Sequence, residues 1–220
     1  DQVYISIPGS EGFFPKGKAV LTGNPVRAEL LQEGGQCKDK AAGKTVLVLG
    51  GSQGAHRVNG LMVEACTQNV LGEAVRVRHQ TGNSDEVWVR KAYGEAGVPA
   101  QVSSFISDMA AAYREADLVV SRAGATTLAE LAVLGKPAIL IPYPYAADDH
   151  QTTNAAYLVR GGAALMFQER DLDGAKLRQE ILGLLNDTPR LQAMAAQMKQ
   201  FARPEATGAI VEKSMQLLAA

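Results

Sequence analysis

The chain has 220 residues, 46% of them hydrophobic, enough for one sizeable core or one core with an appendage. Its 22 basic residues face 23 acidic ones, so the charge balance carries no footprint for nucleic acid. No run of 18 apolar residues exists to span a membrane, and two cysteines without metal-site spacing, Cys37 and Cys66, fit a reduced, cytoplasmic chain.

Asp1–Ile7 reads as an apolar strand without the basic start of a signal peptide. There is no initiator methionine, and the start reads as a cut inside a longer protein. The run PGSEGFFPKGK that follows is Gly/Pro-rich, like a linker. A strand with no partner nearby in sequence is expected to be the last element of a preceding domain, which sets residues 1–18 apart from a domain over 19–203.

Short apolar or β-branched runs then occur at Ala19–Thr22, Thr45–Leu49, Val75–Arg78, Gln101–Ser103, Leu118–Ser121 and Ala138–Ile141. Helical periodicity lies between or after them at His56–Gln68, Asp85–Glu95, Asp108–Glu115, Thr126–Leu134 and Gln151–Val159. This alternation predicts an α/β fold, a parallel sheet with helices on both faces. Right-handed crossovers bring all strand-to-helix turns to one edge of such a sheet. Ala163–Phe167 reads as a last short strand, followed by three successive helices over Asp173–Leu185, Pro189–Phe201 and Glu205–Leu218. Thr188-Pro189 is a helix start and Arg203-Pro204 a break. Val211, Met215 and Leu218 form a stripe on the last helix that needs cover, with weak self-association as one expectation.

Two glycine-containing turns stand out. Gly50-Gly51-Ser52-Gln53-Gly54 follows the strand over Val46–Leu49, where a phosphate-binding loop belongs, yet it matches neither the Walker nor the GxGxxG pattern. Ser121–Gly135 reads SRAGATTLAELAVLG: Gly124 permits close backbone approach, Ala125, Thr126 and Thr127 open a helix, and its N-terminus attracts anions. Glu130 lies just inside, suited to sugar hydroxyls or, more plainly, to a favourable helix-terminus charge. Arg27, in GNPVR, either forks onto a diphosphate or is a solvated surface arginine. In Pro142–Gln151, Asp148 either caps the next helix or lines a sugar site, and His150 has no triad partner in sequence. No metal cluster is readable among His56, His79 and His150.

At GNPVR (23–27), GGSQG (50–54), SRAGATTLAE (121–130) and DDHQTTNA (148–155) the chain resembles the C-terminal half of the MurG family of bacterial peptidoglycan glycosyltransferases. The resemblance runs from about Tyr4 to the C-terminus. It implies one Rossmann-like half of a GT-B enzyme that moves N-acetylglucosamine from UDP-N-acetylglucosamine to lipid I, giving lipid II with inversion. It further implies that Phe105 borders the uracil, Ile106 holds it by backbone hydrogen bonds, and Glu130 binds the ribose. Gly51, Ser52, Gln53 and Gly54, with Gly124 and the N–H groups of Ala125, Thr126 and Thr127, would surround the diphosphate near Arg27. Gln151 would contact the N-acetylglucosamine hydroxyls, whereas His150 stands where the family often has glutamine. The catalytic base, the lipid I site and the attachment to the cytoplasmic face of the inner membrane would belong to the other domain. The resemblance also implies that residues 204–220 pack back on that preceding domain. Binding is expected to need neither metal nor cofactor. Another GT-B transferase, a UDP-sugar epimerase and a non-catalytic nucleotide-binding module are the competing readings.

Overall fold

The computed structural model describes residues 2–32, 43–50, 55–68, 71–72 and 75–219. Six strands, β3 (Lys44–Leu49), β4 (Val75–Gln80), β5 (Ala100–Ser103), β6 (Leu118–Ser121), β7 (Ala138–Leu140) and β8 (Ala164–Met166), form one parallel sheet in the order β5-β4-β3-β6-β7-β8. Helices α2 (His56–Thr67), α3 (Glu86–Glu95), α4 (Met109–Glu115), α5 (Ala125–Leu134) and α6 (His150–Arg160) are the crossovers between them.

The two faces of the sheet follow from the period of two along each strand. Val46 and Val48 of β3, Leu118 and Val120 of β6 and Ile139 of β7 enter one apolar cluster, under α2, α3 and α7 (Gly174–Asn186). Leu47, Leu49, Val119, Ala138 and Leu140 enter the other, under α4, α5 and α6. Every one of these positions is apolar, as a sheet covered on both faces requires. Cys66 of α2 is buried in the first cluster, and burial pushes its thiol up to about 12, so it packs as a small apolar residue. Cys37 lies outside the described residues.

The helices begin where sequence chemistry places them. Asp108 accepts from Ala111 N (2.8 Å), Asp173 from Lys176 N (2.7 Å) and Asp187 from Arg190 N (3.0 Å), capping α4, α7 and α8 (Thr188–Lys199). Gly135 ends α5 in the left-handed region at φ 63°.

Two expectations need correction. The N-terminal strand β1 (Val3–Ile5) has a partner nearby, because β2 (Ala19–Leu21) pairs with it in parallel to form a separate two-stranded sheet. β2 therefore does not join the main sheet, and the pairing ties together residues on both sides of position 18. Asp148 does not cap α6 with its side chain; it lies in the tight turn Ala147–Asp149 with φ 49°, followed by Asp149 at φ 50°. The last helix, α9 (Ala206–Leu218), buries Ala206 and leaves Val211, Met215 and Leu218 exposed, while Ser214 Oγ meets Tyr4 OH at 3.1 Å. No helix among the described residues is long and apolar enough to cross a membrane.

Candidate functional site

The chain leaves β3 toward one flank of the sheet through β4 and β5, then returns to β6 on its other side and continues outward through β7 and β8. The reversal makes the carboxyl ends of β3 and β6 a topological switch point, the place in such a sheet where ligands bind. Gly50 leaves β3 there, and Ser121–Gly124 leaves β6. Gly51, Ser52, Gln53 and Gly54 continue from Gly50 but lie outside the described residues.

The N-terminus of α5 lies at this switch point. Gly124 at its N-cap makes no side-chain cap, the first turn holds no acidic residue, and a Cβ on Gly124 would meet nothing within 4 Å. Three other helices neutralise their first turn with an aspartate, whereas α5 has no side-chain cap among the described residues, and its positive dipole end favours an anion. Thr126 is exposed, and its Oγ1 accepts from Asn24 Nδ2 at 3.2 Å. Ser6 Oγ donates in turn to Asn24 Oδ1 (3.3 Å), so GNPVR braces the start of α5.

Glu130 sits in the second turn of α5 and is buried, which removes the plain reading of an exposed terminal charge. Arg27, immediately ahead of the short helix α1 (Ala28–Gln32), donates to Glu130 Oε1 at 2.8 Å. Tyr113 of α4 donates to Oε2 at 2.9 Å. The contact with Glu130 raises the Arg27 guanidinium further above its ordinary value, and burial holds the Tyr113 phenol well above its own. Arg27 remains half exposed at its side chain, so the guanidinium bridges the carboxylate and open solvent.

Gln151 at the start of α6 accepts from Ala123 N (3.2 Å) and Tyr143 N (3.0 Å). Two backbone donors on one oxygen fix the amide's orientation, so a ligand meets its NH2 end. Asn154 Nδ2 donates to Ala123 O at 3.2 Å, and α6 thus grips the β6–α5 loop by both sides of one residue. His150 is exposed and its Nδ1 lies 2.8 Å from Ala147 O, within its own loop. Phe105 is exposed at 62% just past β5, and the neighbouring Ile106 is buried with its N–H directed to Gln80 Oε1 at 3.4 Å.

The described members of the expected site thus lie on loops at the carboxyl ends of β5, β6 and β7 and on α5 and α6, with Arg27 reaching Glu130 from the segment between β2 and α1. Sequence reading missed Asn24, Gln80, Tyr113, Arg122 and Asn154. Arg122 donates to Ile141 O (3.2 Å) and Pro142 O (3.0 Å), pairs with Glu169 at 2.7 Å and lies over the Tyr143 ring. Arg122 inside SRAGATTLAE, Asn24 inside GNPVR and Asn154 inside DDHQTTNA carried a motif signal, whereas Gln80 and Tyr113 lie in no motif and act across long sequence distances. A cleft of about 520 Å³ opens between Arg57, Pro144, Tyr145, Asp149, Gln168 and Arg170. The cleft between Ser6, Asn24, Leu128 and Arg203 holds about 40 Å³, roughly the share of one or two waters and far too small for a nucleotide.

The model of the glycosyltransferase family 28 C-terminal domain matches residues 45–209. A UDP-N-acetylglucosamine--N-acetylmuramyl-(pentapeptide) pyrophosphoryl-undecaprenol N-acetylglucosamine transferase from Desulfotalea psychrophila is 45% identical over 99% of this chain and 60% of its own length. A protein of the same name from Geobacter sulfurreducens is 45% identical over 97% of this chain and 60% of its own length. The chain therefore spans about 60% of the length of the curated relatives it matches. Among solved structures, Acinetobacter baumannii MurG superposes with a TM-score of 0.78 at 32% identity, over 97% of this chain and 59% of that one. A UDP-N-acetylglucosamine 2-epimerase gives 0.58 at 15% identity over 94% of this chain and 53% of that one, a likeness of fold alone.

Proposed function

Because this chain belongs to the glycosyltransferase family 28 C-terminal domains, we propose that it is the donor half of an inverting GT-B enzyme. The enzyme transfers N-acetylglucosamine from UDP-N-acetylglucosamine to lipid I, giving lipid II. The observation that carries this reading is the uncapped start of α5 at the switch point, with a buried carboxylate one turn farther in. That arrangement suits a diphosphate followed by a neutral diol, and the curated relatives named for this transfer support the sugar and the acceptor.

In this reading the N–H groups of Ala125, Thr126 and Thr127 take the diphosphate, and Gly51, Ser52, Gln53 and Gly54, outside the described residues, are proposed as its further partners. Arg27, half exposed, is within reach of the same oxygens. Glu130 accepts the ribose hydroxyls, Ile106 reads the uracil by its backbone, and Phe105 covers the base. Gln151 donates from its NH2 end to the sugar. When the acceptor hydroxyl attacks the anomeric carbon, the bond to UDP breaks and negative charge builds on the leaving diphosphate. The fixed helix end stabilises that charge without having to reorganise, and the Arg27 guanidinium adds positive charge beside it. The acceptor site, the base and the attachment to the cytoplasmic membrane face belong to the remaining length that the relatives carry. Residues 1–18 and 204–220 then lie toward that part, and the exposed Val211, Met215 and Leu218 of α9 supply the surface for it or for weak self-association.

Calorimetry with UDP-N-acetylglucosamine, UDP-glucose, ADP and NAD tests the reading. UDP-N-acetylglucosamine should bind more tightly than UDP-glucose, with no heat from ADP or NAD. Equal binding of all four, or binding of NAD alone, would contradict it.

A further inference from the structure

Glu130 is held from two directions by residues far away in sequence. Tyr113 lies wholly buried in the cluster that α4 shares with α5, and its hydroxyl meets Oε2 at 2.9 Å. Arg27 meets Oε1 at 2.8 Å. The two holders differ in kind. Arg27 sits on a flexible, half-exposed side chain, whereas Tyr113 is fixed by the core around its ring. A carboxylate on a helix has freedom at its terminal torsion, and one immobile donor removes it. Burial and the nearby carboxylate keep the phenol protonated, so it donates throughout the accessible pH range.

Each carboxylate oxygen accepts more than one hydrogen bond, so the donation from Tyr113 leaves acceptor capacity on both oxygens. A vicinal diol offers two hydroxyl donors at fixed spacing and is met best by two oxygens held in one plane. We propose that Tyr113 is a positioning residue that orients the Glu130 carboxylate for a vicinal diol and thereby sets a preference for ribonucleotides over 2′-deoxyribonucleotides. This rests on the reading of Glu130 as the ribose-binding group. An apolar ring fills the same volume, so the hydroxyl is the part with the task.

The test compares UDP with 2′-deoxy-UDP by calorimetry on the parent chain, Tyr113→Phe and Glu130→Gln. The parent should prefer UDP by about tenfold or more, as expected for a charge-assisted hydrogen bond. Tyr113→Phe should weaken UDP by about fivefold and 2′-deoxy-UDP by less than about twofold, collapsing the ratio. A purely structural hydroxyl would weaken both nucleotides alike or shift only the melting temperature, and either result overturns the proposal. If Glu130→Gln keeps the parent's ratio, the ribose reading itself is wrong and the role of Tyr113 falls with it. If Glu130→Gln collapses the ratio while Tyr113→Phe retains it, only the role of Tyr113 is wrong. Should Tyr113→Phe not fold, replacing tyrosine by 3-fluorotyrosine keeps ring and hydroxyl but strengthens the donor. The UDP to 2′-deoxy-UDP ratio should then change, and an unchanged ratio would count against the proposal.

Discussion

His79 is kept neutral by its surroundings. It is fully buried on β4, with Nδ1 3.0 Å from Tyr93 OH and Nε2 3.0 Å from Asn59 Oδ1. Asn59 spends its Nδ2 on Thr81 O (2.9 Å) and Asp85 Oδ2 (2.7 Å), so its Oδ1 must accept and the imidazole carries its proton on Nε2. The same Oδ1 would lie 2.7 Å from a Cβ at position 50, so only glycine fits at the mouth of the β3 turn. Burial lowers the His79 pKa to about 3, against an ordinary value of 6.5. Between those values the unfolded chain binds one more proton than the folded one, so stability falls as the pH is lowered from 6.5 toward 3. The loss from this residue should be about 1.6 kcal/mol between pH 6.5 and pH 5. Urea unfolding at the two pH values should show that loss in the parent and a much flatter response in His79→Gln. Equal slopes for the two proteins would mean that the acid sensitivity lies elsewhere. The glycine at 50 was legible as a turn residue, but the histidine behind it was not. Nothing local ties residue 79 to residues 59 and 93, and only the strand pairing and the packing of α2 and α3 bring them together.

At the scale of elements, α7 lies so close to α2 that a side chain at its first residue has no room. A Cβ on Gly174 would fall 2.3 Å from Glu64 Cβ and 2.8 Å from the Glu64 carbonyl carbon. Backbone cannot yield as a flexible side chain does, so Gly174→Ala should cost about 1–3 kcal/mol through displacement of the helix pair. Gly183, in the same helix, meets nothing within 4 Å, and Gly183→Ala should stabilise by up to about 1 kcal/mol through helix propensity. Opposite shifts of the urea midpoint would support this packing, and a shift of the same sign for both would refute it. Element types were readable wherever period and caps agree: Asp108, Asp173 and Asp187 start helices within a residue of the expected place. β2 was readable as a strand but not as a partner of β1, because three apolar residues look alike in either sheet. The left-handed Asp148 and Asp149 were hidden for a related reason, since an aspartate before a helix reads first as a cap.

For the molecule as a whole, the strand order decides where a ligand can sit. The six runs of β-type residues announced a parallel sheet, but the neighbours β3 and β6 are more than 70 residues apart along the chain and share no local signal. Both of their faces are apolar, so the side-chain pattern does not mark which strand lies next to which. That the carboxyl ends of β3 and β6 share one edge of the sheet was thus legible only through the general rule for crossovers. The loop holding Arg122 and the grip of Asn154 on Ala123 required coordinates. We propose that a uridine diphosphate occupies this edge of the sheet, with its diphosphate on α5 and its ribose on Glu130. Titrating UDP into isotope-labelled protein and following the backbone amide resonances shows where the nucleotide binds. The largest shifts should fall on Ala125, Thr126 and Thr127, with further shifts at Ile106 and Glu130. Saturable shifts confined to the cleft between Ser6, Asn24 and Arg203, or no saturable shifts at millimolar UDP, would contradict the account.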